Sequence, residues 1–335
     1  MSLDTNDTQS SDLGLTSDSP IENLMDRSKE LLIVTHNGRF HIDDVFAFTT
    51  LSIALDLDNR PFQLQRTRDV DIINRADIVF DVGGIFDGKR RFDHHQIGAP
   101  ERDIKQTPKN IEGVIPYSSA GMIWQAFGLD VIQKLAPDLD EKSRKVAHNV
   151  IEKSLVIPID AIDNGKLQPE NGLNLSSVVN VFNPAWDNDD PSTQIERFFE
   201  ASRMLRTILV YQLNIEFARV RAISCCETAY KENPDNRILM LPRWMPHIYP
   251  IFSNGWNTQF VIYPAENEWR VGTVPIRMHG SDRRKLFPNS WGGLEKDELE
   301  AVTGIPGAKF VHKGCFIAVT NSKESAIALA EKALG

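Results

Sequence analysis

With 335 residues, 41% of them hydrophobic and 25% charged, the chain has the make-up of a soluble globular protein and the length of about two domains, with no collagen-like, coiled-coil or internal-repeat pattern. A formal net charge of −9 argues against indiscriminate attraction to nucleic acid, which needs many phosphate-neutralising cations, and leaves only a local basic groove from residues such as Arg66, Arg68, Arg90, Arg91, Arg283 and Arg284. Three cysteines, Cys225, Cys226 and Cys315, form no spaced disulfide framework, and no apolar run nears the roughly 20 residues that span a bilayer, so a cytoplasmic protein with no membrane segment is expected.

Residues 1–29 are rich in Ser, Thr and Asp, lack a secretory apolar stretch, and are expected to be a disordered tail. Leu31 to Thr35 then reads as a buried strand, and Ile42, Val45, Phe46, Thr49 and Ile53 recur at helical spacing. Phe62 to Arg66 and Asp77 to Val82 supply two more strands, and strands alternating with helical segments predict βαβ units and a mostly parallel sheet. Asp87-Gly88 suits a tight hairpin, so Lys89 to Phe92 is expected to return as a strand that presents Asp93-His94-His95 at its end. Ser118 and Ser119 precede a helix through Gly121, Met122, Trp124 and Phe127, and the stripe Val146, Ala147, Val150, Ile151 and Leu155 makes another, interrupted near Pro158 just before Asp160 to Gly165.

Residues 164–191 are loop-rich, and Ser192 opens a helical pattern to about Tyr230, long enough to join two domains. Beyond it, Phe260 to Tyr263 with Trp269 to Val274 reads as a hairpin, Ala308 to Thr320 as strand, turn and strand, and Ser322 starts a final helix. The expected partition is a tail over 1–29, a metal-binding domain over 30–190, a linking helix over 191–231 and a smaller mixed α+β substrate-binding domain over 232–335.

Two clusters of acids and imidazoles follow apolar runs, His36 to Asp44 after Leu31 to Thr35 and Asp81 after Ile78 to Phe80, and a third, Asp93-His94-His95, follows the expected strand Lys89 to Phe92. Taken singly, each has an ordinary explanation. Asp43-Asp44 at the start of a helix suits its dipole, Asp81 before two glycines suits a turn, and a lone histidine such as His148 suits a hydrogen-bonded core. Recurrence after successive strands changes the balance, because the ligand crevice of a parallel α/β sheet lies outside the carboxyl ends of its strands, where distant segments converge. Imidazole and carboxylate together suit divalent ions that bind nitrogen and oxygen. A Walker loop, a dinucleotide fingerprint and a nucleophile elbow are absent.

The ordered set of His36 through Asp43, Asp81, Asp93-His94-His95 and Asp160 looks like the DHH phosphoesterase superfamily. More closely, Thr35-His36-Asn37-Gly38-Arg39-Phe40-His41-Ile42-Asp43-Asp44, Arg66-Thr67-Arg68-Asp69, Arg91-Phe92-Asp93-His94-His95, Tyr117-Ser118-Ser119-Ala120-Gly121, Asp160-Ala161-Ile162-Asp163-Asn164-Gly165, Ile305-Pro306-Gly307 and Phe310-Val311-His312 resemble the melanocyte-proliferating-gene family.

The resemblance implies an α/β fold whose mostly parallel, Rossmann-like sheet is flanked by helices in the DHH manner. It implies two divalent ions, Mn²⁺ first, with Mg²⁺, Co²⁺ or Zn²⁺ as alternatives. His36 and His41 would hold one ion with Asp81, and Asp43, His94 and Asp160 the other, with Asp81 bridging. Asp44 is an alternative to Asp43, and Asp163 to Asp160. His95 would contact the scissile phosphate and Asp93 would orient a ligand histidine. Arg68 and Ser119 are candidate phosphate contacts, and Arg277, His312, Lys313 and Gly314 candidate substrate contacts in the last domain. The activity implied is 3′-5′ RNA exonuclease action through a two-metal-activated water. RNA or a short oligonucleotide is then the partner, and a homodimer is compatible with the resemblance. The competing expectations are a hydrolase of a small phosphate compound and a non-enzymatic, metal-stabilised regulatory module.

Overall fold

The computed structural model describes Leu24 and residues 29–108, 111–168, 173–187, 190–233 and 235–335. The expected tail, apart from Leu24 and Lys29, lies outside the described residues. The chain divides into two compact units between Phe217 and Ala218.

The first unit is built on strands β1 (Leu31–Thr35), β2 (Phe62–Arg66), β3 (Ile78–Phe80) and β4 (Arg91–Phe92), hydrogen-bonded in the order β2-β1-β3-β4. Every neighbouring pair is parallel. The central strands β1 and β3 read as unbroken apolar runs and are buried almost throughout, as parallel strands covered on both faces must be. Helix α1 (Ile42–Ala54) follows β1, with all its residues but Ala54 buried, and packs on α3 (Ser119–Leu135); α2 (Val70–Arg75), capped by Asp69 Oδ1, precedes β3.

Two local expectations are corrected. The Asp87-Gly88 turn forms, with Asp87 Oδ1 accepting from the backbone N–H groups of Lys89, Arg90 and Arg91 at 2.8, 2.7 and 2.8 Å. Yet it makes only a single antiparallel bridge, Phe86 to Phe92, and β4 itself runs parallel to β3. The Arg91 guanidinium donates to the carbonyls of Ile73 and Ala76 at 3.3 and 3.0 Å, which holds β4 beside the entry to β3 rather than letting it fold back.

The interruption expected near Pro158 does not end the helix. Helix α4 (Glu141–Ile151) passes through a π-turn over Glu152–Val156 into α5 (Ile157–Asp163), with Pro158 in the first turn of α5. Asp160 and Asp163 are therefore both helical.

Helix α6 (Leu175–Val181) and helix α7 (Pro191–Glu232) complete the helices named in chain order before the second sheet. Among the described residues no helix, α7 included, is long and apolar enough to cross a membrane.

The second unit holds a mixed sheet in the order β5-β6-β7-β9-β8: β5 (Ile238–Met240), β6 (Phe260–Ala265), β7 (Glu268–Thr273), β8 (Ala308–Val311) and β9 (Ile317–Thr320). Strands β5 and β6 are parallel and the remaining pairs antiparallel, including the predicted β6-β7 hairpin. Helices α8 (Ile248–Ser253), α9 (Lys296–Thr303) and α10 (Lys323–Leu334) complete it, α10 capped by Ser322. Phe260, Phe287, Trp291, Leu299 and Leu329 form its core.

Candidate metal centre

The chain leaves β1 for β2 on one side and returns to β3 on the other, so the carboxyl ends of β1 and β3 flank the point where strand order reverses. His36 follows β1, and the chain then turns into α1, whose start carries His41, Asp43 and Asp44. Asp81 follows β3 with φ 57°, a left-handed conformation that aspartate tolerates better than most residues and that turns the chain sharply at the strand end. Asp93, His94 and His95 follow β4. Asp163 arrives on α5.

These side chains converge in three groups, His36 with Asp44 and Asp81, Asp81 with His94 and His95, and His41 with Asp43 and Asp163, the first two sharing Asp81 and the ligand atoms in each lying within 4.8 Å of one another. His36 Nδ1 is 3.0 Å from the Asn37 carbonyl, which leaves Nε2 directed at Asp44 Oδ2 (3.1 Å) and Asp81 Oδ2 (3.2 Å). His94 Nε2 stands among three carboxylates, 3.1 Å from Asp81 Oδ1, 3.4 Å from Asp163 Oδ2 and 3.9 Å from Asp43 Oδ2. Asp81 thus turns one oxygen to each imidazole.

The electrostatics follow from crowding of like charge in a dry place. Burial, then the nearby Asp81, Asp163 and Asp44, push the Asp43 carboxyl well above its ordinary value. Asp163 is raised by burial as well. Burial alone would raise Asp81, but the imidazoles of His36 and His94 outweigh it and hold that carboxyl well below the usual range. Burial disfavours a charge on His36, yet Asp44 and Asp81 drive it up to about 10.

Both oxygens of Asp43 are buried and accept no hydrogen bond. A desolvated carboxylate without donors is costly, and further carboxylates beside it make it more so. The partner such an arrangement lacks is a cation, and the nitrogen and oxygen donors around it are those that first-row divalent ions take. The residues present therefore fit a divalent metal site.

His36, His41, Asp43, Asp81, His94 and His95 lie in these groups, whose make-up differs from the expected ligand sets at two places. Asp44, rather than His41, stands with His36 and Asp81; Asp44 Oδ1 also accepts from the backbone N–H of His41 at 2.9 Å. Asp160 does not reach the cluster. Its buried carboxylate accepts from the backbone N–H groups of Ser118 and Gly121, both at 3.1 Å, and from the Ser118 hydroxyl, and it pairs with Arg102 at 2.6 Å. Burial pushes that carboxyl up to about 7, against the pull of Arg102. Asp163, one helical turn later, faces His94 instead.

Asp93 is buried behind the site, where its carboxylate accepts from the N–H groups of Gly84 and His94 and sits 2.7 Å from His95 Nδ1. Ser119 is buried too, and its hydroxyl donates to Phe92 O (3.0 Å) and Asp81 Oδ1 (3.3 Å), so it braces the centre from within the protein. A cavity of about 430 Å³ opens over the cluster, lined by His36, His41, Arg68, Asp81, His94, His95, Asp163 and Asn164. Arg68 donates to the carbonyl and side chain of Asn37 at 2.7 and 2.6 Å. Arg277, His312, Lys313 and Gly314 belong to the second unit, where the Gly314 N–H donates to His312 Nδ1 at 3.0 Å.

Arg102 and Asn183 carry no sequence signal. Asn183 brackets the backbone of Phe40, accepting from its N–H and donating to its carbonyl at 2.9 Å each, and so fixes the loop between His36 and His41 from 143 positions away. His148 is an interior histidine stacked on Trp124 with ring centroids 5.1 Å apart.

The model of the MYG1 family, described as an uncharacterised protein family (UPF0160), matches residues 32–334. A MYG1 protein of Schizosaccharomyces pombe is 33% identical over 323 residues, covering 90% of this chain and 97% of that one. A MYG1 protein of Caenorhabditis elegans is 31% identical, with 90% and 95% covered, and the protein named MYG1 exonuclease in Homo sapiens is 31% identical, with 90% and 85% covered. A solved structure of exonuclease RecJ bound to manganese aligns over 94% of this chain and 92% of that one at 13% identity and a TM-score of 0.26, too low to establish a shared fold. Matched by the family model over nearly its whole length, the chain belongs to the MYG1 family.

Proposed function

We propose that this protein is a metal-dependent phosphodiesterase, an exonuclease that removes nucleotides from the 3′ end of RNA. The observation that carries the reading is the buried, donorless Asp43 carboxylate among imidazoles and further aspartates at a strand-order reversal. The name exonuclease given to the human relative supports it. His36, Asp44 and Asp81 would hold one divalent ion, and Asp43, His94 and Asp163 a second, with Asp81 serving both; Mn²⁺ is the ion proposed, with Mg²⁺, Co²⁺ or Zn²⁺ as alternatives. Bound divalent ions supply positive charge at phosphoryl oxygens and acidify water at neutral pH.

The protein's own groups then have distinct tasks. Asp93 holds His95 Nδ1, which leaves Nε2 of this half-exposed ring to meet a phosphate oxygen in the cavity. The Arg68 guanidinium, anchored on Asn37, adds fixed positive charge to the same wall. Ser119 holds Asp81 in place. Arg277, His312, Lys313 and Gly314 are proposed to bind the rest of the strand, within a partition of metal-binding residues 30–190, linking helix 191–231 and substrate-binding residues 232–335. A cytoplasmic location completes the reading.

The test is purified protein with Mn²⁺ acting on 5′-labelled RNA and on a ladder of oligonucleotide lengths. Stepwise shortening of the labelled RNA, abolished by EDTA, is expected. Intact RNA at every length would refute nuclease action, and cleavage confined to dinucleotides or pyrophosphate would replace it with hydrolysis of a small phosphate compound.

A further inference from the structure

Two of the carboxylates at the centre are registered against one piece of backbone, the first turn of α3. Ser119 reaches Asp81 directly, its hydroxyl 3.3 Å from Oδ1. Asp163 is held indirectly. Its helix α5 is pinned by Asp160, whose carboxylate takes the N–H groups of Ser118 and Gly121 and the Ser118 hydroxyl. There is no slack in this joint, because a Cβ at position 121 would lie 2.1 Å from Asp160 Oδ2.

Arg102 locks the same joint from the other side. Its buried guanidinium pairs with Asp160 at 2.6 Å and with Glu152, the first residue of the π-turn, and stacks over Tyr117 at 3.9 Å. One side chain thus ties both ends of the segment from Glu152 to Asp160. A buried ion pair is usually no more stabilising than an apolar packing of the same volume, so stability alone is a weak reason for it. What it supplies is a fixed spacing, since one rigid planar guanidinium hydrogen-bonds Glu152 with one arm and lies in ion contact with Asp160 through the other.

We propose that Arg102 and Asp160 are positioning residues for the metal centre: through the π-turn and α5 they set the place of Asp163 relative to Asp81 and His94, and thereby the affinity for a divalent ion, without touching ion or substrate. This rests on the metal-dependent reading given above. Side chains that orient metal ligands in this way commonly change affinity about 10- to 100-fold when replaced.

The experiment is calorimetric titration of the full chain with Mn²⁺ alone, together with thermal melting in EDTA, for wild type, Arg102→Lys, Asp160→Asn and Glu152→Gln. Lysine keeps the charge but cannot span two carboxylates, and Glu152→Gln loosens only one arm, which guards against a variant that fails to fold. Val131→Ala, in the core on the far part of α3, serves as a control for lost stability alone. Expected are Mn²⁺ affinities about tenfold weaker in Arg102→Lys and Asp160→Asn and about threefold weaker in Glu152→Gln, with Val131→Ala unchanged even if its melting temperature falls as far. Variants that melt earlier yet bind Mn²⁺ like wild type would overturn the positioning role alone. A wild-type chain that takes up no Mn²⁺ would overturn the metal reading and this inference with it.

Discussion

Asp43 shows at the residue scale how function and stability oppose one another in this site. It is wholly buried, it accepts no hydrogen bond, and burial and neighbouring carboxylates raise its proton affinity. Asp43→Asn removes a group whose charged form burial and its neighbours disfavour and gives a neutral amide that can donate to the carboxylates beside it. In EDTA this variant is expected to be more stable than wild type, by about 1–2 kcal/mol. With Mn²⁺ present it is expected to lose about 100-fold or more of any hydrolytic activity, because the replaced oxygen no longer carries charge for a cation. Denaturant melts in EDTA and rate measurements in Mn²⁺ check the two halves. A variant less stable than wild type in EDTA would show that the carboxylate is satisfied without metal. The side chains of His36, His41, Asp43, Asp81, His94 and His95 were readable as a group because each cluster follows a segment that reads as a strand, a pattern that survives in one dimension.

At the scale of elements, the π-turn decides what sequence spacing leaves open. Asp160 and Asp163 lie three apart in one motif, and either is a plausible ligand on chemistry alone. The wide turn over Glu152–Val156 changes the phase with which α5 leaves α4, and one residue of phase is roughly 100° of rotation, enough to exchange the side chain facing the cavity for one facing Arg102. The strand β4 is a similar case. The Asp87-Gly88 turn before it marked a strand ending in ligands, but that strand runs parallel to β3, with Arg91 hydrogen-bonded to carbonyls at the end of α2, 15 to 18 residues away in sequence. Gly121 is the most sensitive position in these elements. Gly121→Ala is expected to cost about 3 kcal/mol, since its methyl group and the Asp160 carboxylate cannot share the space at the start of α3. A melt within about 0.5 kcal/mol of wild type would show that the joint yields easily.

At the scale of the whole molecule, the chain's two units divide its chemistry, since the whole acid and imidazole cluster belongs to the unit that ends at Phe217. An ion that binds only the folded first unit stabilises it by about 2.7 kcal/mol at one hundred times its dissociation constant. Scanning calorimetry with Mn²⁺ is therefore expected to raise the transition of the first unit, while the second unit melts at the same temperature with or without the ion. Equal shifts of all transitions would mean that the units unfold as one.

The class of fold and the residue types gathered in the cluster are legible along the chain. Alternating apolar runs and helical spacings specified a parallel sheet, and acids and imidazoles placed after the strands specified a cluster of candidate metal ligands at its edge, because both depend on local periodicity and residue type. Tertiary structure alone decided which acids face the cavity, that β4 runs parallel to β3, and that Arg102 and Asn183 hold the site together. Those outcomes depend on helix phase and on contacts between segments up to 143 positions apart, where chain geometry rather than local pattern sets which atoms meet.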